Sequence, residues 1–225
     1  MKQEIYIFRH GESDYNAENR IQGWLDIPLN KTGTRQAKKL AKILSTINFD
    51  CIYTSPLSRA LQTATMVAKP KNTKIIVKDG LRERGFGDFS GKTLRILDLP
   101  KDFPINTNHE IINIPLSLIK DANYIPPNGE SYNMFRQRVY DIMNEILQNN
   151  KEAKTIGIST HGGVIGIFIK EYANLSLPRG GVPNAEYVKL EYDGQKFTMP
   201  EPPHWTIQNN FTKILNKILT SMHIK

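Results

Sequence analysis

A chain of 225 residues, 39% hydrophobic and 23% charged, can bury one α/β core but is short for two equal domains. Its formal charge of +8 is spread over lysines and arginines without a basic block or interleaved aromatics, which argues against nucleic acid and for anionic substrates. One cysteine, Cys51, excludes a disulfide framework or a cysteine zinc site within the chain. No run reaches the ~18 apolar residues of a membrane span. Met1 to Glu4 lead into too short an apolar run for a signal peptide, so the expectation is a cytoplasmic protein without a membrane partner.

Ile5 to Phe8 is wholly apolar, as in a strand covered on both faces. Thr32 to Leu44 has helical rhythm through Ala37, Leu40, Ala41 and Leu44, with Lys38, Lys39 and Lys42 as a solvated face. Phe49 to Tyr53 is the next strand, followed by Ser55 as a cap and Pro56 in the first turn of a helix carrying Arg59, Ala60 and Thr63. A third strand covers Lys74 to Val77. Thr93 to Asn128 holds five prolines among short apolar runs and predicts an irregular, cap-like insertion over the site. Ser131 caps a helix whose Phe135, Val139, Ile142, Met143, Ile146 and Leu147 share a face. Thr155 to Ser159 is a strand ending before His161, and Val164 to Phe168 opens another helix. Tyr187 to Tyr192 alternates as a more exposed strand, turned by Asp193-Gly194, and Asn209 to Leu219 is a final helix.

This order predicts an α/β three-layer sandwich: one domain over residues 1–225, with a mostly parallel sheet, helices on both faces and 93–128 as the insertion. In such sheets the ligand crevice lies at the carboxyl ends of the strands. Arg9, His10, Arg59 and His161 all fall at or just after such ends, so residues 151 positions apart can share a pocket.

That pocket suits a phosphate monoester. Arg9 and Arg59 can grip phosphate oxygens with planar forks. His10 is the candidate nucleophile, with Gly11 allowing close backbone approach. His161, ahead of a helix at Gly162-Gly163, fits contact with the transferring phosphoryl group; a base, a metal ligand or a packed histidine are the other readings. No recognised metal spacing or compact carboxylate cluster occurs, so a metal-independent reaction is expected. Glu83 is the leading proton donor and Asp88 its rival. The charge of a bound phosphate would favour a protonated carboxyl nearby.

The chain resembles the histidine phosphatase superfamily, in the branch of cofactor-dependent phosphoglycerate mutases and their phosphatase relatives. The likeness rests on Arg9-His10-Gly11-Glu12-Ser13 with Asn16, Gln22-Gly23-Trp24 through Leu29, Thr32-Gly33 with Gln36-Ala37, Thr54 through Ala64, the Glu83 segment, Asn128-Gly129-Glu130-Ser131 and His161-Gly162-Gly163, spanning residues 3 to about 192. The resemblance implies a phosphohistidine on His10, with Glu83 protonating the leaving oxygen and then activating water. It also implies a phosphate pocket of Arg9, Asn16, Arg59 and His161, bordered by Gln22 and Gly23.

Phosphoglycerate mutases of that family carry tyrosine three residues after the acid and a paired arginine in the following insertion. Here the first position is Phe86, and residues 93–128 offer only Arg95, Lys101 and Lys120 as cations. Missing counter-charges should weaken recognition of a multiply charged substrate. A phosphatase acting on a small phosphorylated metabolite is therefore the main expectation, with no cofactor. The alternatives are a mutase, which would use 2,3-bisphosphoglycerate and for which Arg82 and Arg84 could compensate, and a catalytically inactive phosphoprotein-binding module. Trp24 is expected to pack the active-site loop and Trp205 to anchor the C-terminal segment. His109, His204 and His223 lack evident partners, and Asn184-Ala185 borders the pocket in one reading. A homodimer is left open, because no heptad run or apolar helix face decides it.

Overall fold

The computed structural model describes residues 2–96, 108–172, 174, 181–201 and 203. Strand β1 (Gln3–Arg9) is central because both its faces are apolar: Ile5 and Ile7 point to one side, Tyr6 and Phe8 to the other, and all four are buried. It pairs in parallel with β6 (Thr155–Thr160) and antiparallel with β7 (Tyr187–Tyr192). Strands β2 (Cys51–Thr54) and β3 (Ile75–Val77) extend the parallel side, and β8 (Phe197–Thr198) completes the order β3-β2-β6-β1-β7-β8.

The helices cover both faces. Leu40 and Ala41 of α2 (Lys31–Ile43) and Ala64 and Val67 of α3 (Ser58–Ala68) pack with Tyr6, Phe8 and Ile52. On the other face, α5 (Tyr132–Asn149) and α6 (Gly162–Tyr172) bring Phe135, Val139, Val164 and Phe168 against Ile5, Ile7, Ile156 and Ile158. Truncating a fully buried Leu40 or Ile158 to alanine would cost about 2–5 kcal/mol. The short α1 (Asp14–Ala17) follows β1 and is capped by Ser13, whose side chain accepts from the Asn16 amide. The chain is thus the expected three-layer α/β sandwich with a mostly parallel sheet.

Two local expectations are corrected. Ser55 does not cap α3, and Pro56 precedes the helix, which begins at Ser58. The capping acceptor comes instead from a distant loop: the Asp26 carboxylate accepts from the Ser58 backbone amide at 2.6 Å and from its hydroxyl at 2.8 Å. The described parts of the 93–128 region are also more regular than its prolines suggest. Strand β4 (Thr93–Ile96) pairs in parallel with β5 (Ile111–Ile114) as a separate two-stranded sheet, and a short α4 (Leu116–Lys120) follows. Pro115, Pro126 and Pro127 lie outside these strands, so no ladder hydrogen bond is lost. Lys101, the helix expected at Asn209 to Leu219, Trp205, His204 and His223 fall outside the described residues. Among the described residues, no helix is long and apolar enough to cross a membrane.

Candidate active site

Register brings the site together. Arg9 at the end of β1 pairs with Thr160 at the end of β6, so His10 and His161 leave the sheet side by side. Their rings meet edge to face with centroids 5.1 Å apart. The His10 amide donates to the Thr160 carbonyl, while the His10 carbonyl accepts from the amides of Ala185 and the Asn184 side chain. Asn184-Ala185 therefore borders the site through its grip on the His10 backbone.

His10 Nδ1 lies 2.6 Å from the Gly11 carbonyl oxygen. A carbonyl can only accept, so Nδ1 carries the proton and Nε2 keeps its lone pair. Burial, reinforced by the charges of Arg9 and Arg59, holds the ring well below the usual imidazole pKa. The missing side chain of Gly11 does allow a close backbone approach, that of Gly33. A Cβ there would stand 2.4 Å from the Gly33 carbonyl oxygen, and one on Gly33 would stand 1.9 Å from that of Glu12. The two glycines let the start of α2 press against the His10 loop.

His161 is fully buried, and its Nε2 lies 2.9 Å from Ser55 Oγ. That hydroxyl also accepts from the Leu57 amide at 3.3 Å and has its own proton to give. The other ring nitrogen of His161, Nδ1, is buried and has no hydrogen-bond partner. Burial, then Arg59, His10, Arg9 and Arg138, lower the His161 pKa far below the usual value.

Arg9 donates to the Val182 carbonyl at 2.6 Å. Arg59, fully buried, gives its two terminal nitrogens to the carbonyls of Leu25 and Gly23 at 2.8 and 2.9 Å. Its fork thus fastens the loop after Gln22 as well as facing the cavity, and burial lowers its pKa to about 10. The Nε atoms of both arginines are buried without a partner. Of five such orphaned side-chain atoms among the described residues, three belong to Arg9, Arg59 and His161. An unpaired buried donor costs roughly 1–3 kcal/mol, so this concentration marks a place built for an acceptor-rich group.

Asn16 and Gln22 present donors to the same space. Asn16 Oδ1 accepts from the Ser13 amide and from the Asn184 side chain, and Gln22 Oε1 accepts from Ser13 Oγ at 2.7 Å. Each carboxamide oxygen being occupied, the NH2 ends remain available. Glu83 closes the arrangement: its carboxylate accepts from the backbone amides of Arg84 at 2.9 Å and Gly163 at 3.1 Å. The bare Gly163 leaves room for this carboxylate, because a Cβ would lie 2.1 Å from Glu83 Oε1 and the carboxyl would have to move.

Arg9, His10, Asn16, Gln22, Gly23, Arg59 and Glu83 line one cavity of about 520 Å3. Asp88 does not join them: it is exposed and accepts from the Asn128 side chain at 3.0 Å. Arg82 and Arg84 part company as well. Arg84 lines the cavity, whereas Arg82 pairs with Asp79 at 2.7 Å and lines a separate groove. Phe86, which replaces the tyrosine of the mutase pattern, faces the cavity too. His109 does have a partner, Glu18 at 3.2 Å. Among the described residues, no three His, Cys, Asp or Glu side chains stand together as a metal site.

Arg138 escaped the sequence reading. From α5 it donates to the carbonyls of Gly80, Arg82 and Glu83 at 2.9, 2.9 and 3.1 Å, and it pairs with the Glu130 carboxylate. Glu130 Oε1 in turn accepts from the Gly85 amide at 2.7 Å. Trp24 Nε1 donates to the Glu83 carbonyl at 2.7 Å from the other side. The loop carrying Glu83 is therefore held by an arginine that periodicity would place on an ordinary polar helix face.

A mostly parallel sheet that presents two buried histidines, a buried and a partly buried arginine and a carboxylate at its strand ends defines an enzyme class built to handle phosphate esters. Comparison with known proteins gives the family. The model of the histidine phosphatase superfamily (branch 1) matches residues 5–201, and the chain belongs to that superfamily, within its phosphatase class. It is 30% identical to the uncharacterized phosphatase PhoE of Bacillus subtilis, over 83% of this chain and 82% of that one. It is 32% identical to phosphoglycerate mutase-like protein 4 of Arabidopsis thaliana, over 91% and 83%. Among solved structures, Bacillus stearothermophilus YhfR superposes with a TM-score of 0.71 at 28% identity, covering 88% of this chain and 95% of that one.

Proposed function

We propose that the protein hydrolyses a small phosphomonoester metabolite without a metal, through a phosphohistidine on His10. The observation that carries this reading is the Nδ1 contact to the Gly11 carbonyl, which leaves Nε2 with a lone pair in the cavity that Glu83 also lines. In the first step Nε2 attacks phosphorus, the bond from phosphorus to the ester oxygen breaks, and that oxygen takes a proton from Glu83. In the second, water attacks the phosphohistidine and gives a proton to the Glu83 carboxylate. The N–P bond then breaks and inorganic phosphate leaves. Arg9, Arg59, His161 and the side-chain amides of Asn16 and Gln22 neutralise and orient the equatorial oxygens.

Hydrolysis is favoured over mutase chemistry by Phe86, which gives the cavity wall an apolar ring instead of a hydroxyl. One observation favours the mutase: Arg84 lines the cavity and spends only its Nε on a protein acceptor, the Glu130 carbonyl, so it could meet a second anionic group. The assay is phosphate release from a panel of phosphomonoesters, 3-phosphoglycerate among them, with chelator present and a His10→Ala control. Chelator-resistant release that the control lacks is expected. Isomer exchange on phosphoglycerates with bisphosphoglycerate added, in the absence of phosphate release, would establish the mutase instead. Release that persists in the control would overturn both readings.

A further inference from the structure

Beside the active-site cavity lies an annex of about 80 Å3, walled in part by β5 and α4. The two share Ile21, Arg84, Phe86 and Leu94 as lining residues, so the annex adjoins the catalytic chamber. Beyond the shared residues its walls are mostly apolar: Phe89 from the turn after Glu83, Ile114 from the end of β5, Leu118 from α4, and Pro126, with Tyr124 as the one side chain there that carries a hydroxyl. Arg84 is its single charged wall among the described residues and sits where chamber and annex meet, its guanidinium carbon 5.2 Å from the centre of the Phe86 ring.

We infer that the substrate's leaving group carries a short apolar arm, aliphatic or a small aromatic ring, which lies in this annex while the phosphate lies among Arg9, His10 and Arg59. The inference rests on the phosphomonoesterase reading above. A volume near 80 Å3 corresponds to roughly three water molecules at the liquid share of ~30 Å3 each, enough for an arm of three or four carbons. Walls with so few polar groups disfavour sugar-like carbons, because Tyr124 and Arg84 cannot satisfy a hydroxyl on every carbon and each unmatched one would lose its hydrogen bonds. Arg84 at the junction selects an acceptor atom between phosphate and arm. Fully oxygenated esters such as 3-phosphoglycerate can use the chamber but gain nothing from the annex.

The test separates binding from turnover. Calorimetric titration with n-alkylphosphonates from methyl to hexyl should show Kd falling about fourfold for each methylene that enters the annex, then a plateau once it is full. In Leu118→Trp, which fills the annex from its more open side, and in Ile114→Asn, which makes it polar, the series should flatten. Thermal melts check that each variant is folded. Hydrolysis of the matching alkyl phosphates should follow the same order in kcat/KM. No chain-length dependence in the unaltered protein, or equal slopes in both folded variants, would overturn the annex. A full phosphonate series without hydrolysis of any alkyl phosphate would leave the annex standing and overturn the phosphomonoesterase reading.

Discussion

At the scale of single residues, the chemistry turns on the state of His10. Its proton is pinned on Nδ1 by the Gly11 carbonyl, and burial with two arginines opposes a second proton. Nitrogen-15 NMR of the imidazoles should therefore report the Nδ1-H form for His10, without titration between pH 7.5 and 6. A His10 midpoint near 6.5 would contradict this. Gly163 tests the carboxylate. In Gly163→Ala the new methyl would stand 2.1 Å from Glu83 Oε1 and push it aside, and a carboxyl displaced by about 1 Å should lower kcat on the order of 100-fold. Circular dichroism should stay unchanged, and a near-normal kcat in the folded variant would show that Glu83 is not needed there. Glu83 itself was legible only because it falls in a familiar ordered set of motifs; its two backbone donors come from residues 84 and 163, which no local pattern connects.

At the scale of elements, the loop from Gly80 to Gly85 behaves as a bracket fixed from α5. Removing Arg138 frees three carbonyls and leaves the Glu130 carboxylate without its cation. Arg138→Met should cost about 3 kcal/mol in urea unfolding. If the bracket positions the proton donor, kcat should fall tenfold or more for alkyl phosphates, whose leaving oxygen needs a proton, and far less for 4-nitrophenyl phosphate, whose leaving group departs unaided. Equal losses on both would show a general structural role. Helices α2 and α5 and strands β1, β6 and β7 could be read from the chain because each has a strong apolar period or run. Strands β4 and β5 could not: four residues each, broken by Thr93, Arg95 and Asn113, are too short for a pattern to stand out among prolines, and they become strands by pairing with each other. The cap of α3 was misread for a related reason, since its acceptor, Asp26, stands 32 residues upstream.

At the scale of the whole molecule, the site exists because β1 and β6 are parallel neighbours, which the alternation of strands and helices already implied. Two buried neutral histidines at that junction also couple the fold to pH. Their folded pKa values lie below the unfolded value near 6.5, so below that pH the unfolded chain binds protons that the folded chain refuses. Stability present above pH 6.5 should therefore decline as pH falls, by up to about 1.4 kcal/mol per pH unit for each histidine. Urea unfolding at pH 7.5, 6 and 5 should show a shallower decline in His10→Gln, and an unchanged decline would remove His10 from the coupling.

The central claim is tested most directly by trapping the covalent intermediate. Glu83→Gln, mixed with 32P-labelled 4-nitrophenyl phosphate and quenched in alkali within milliseconds, should retain close to one phosphate per chain. The label should be stable to base, labile to acid and confined to the peptide containing His10. Turnover without any such label in this variant and in the unaltered protein, or a label on another residue, would contradict the phosphohistidine.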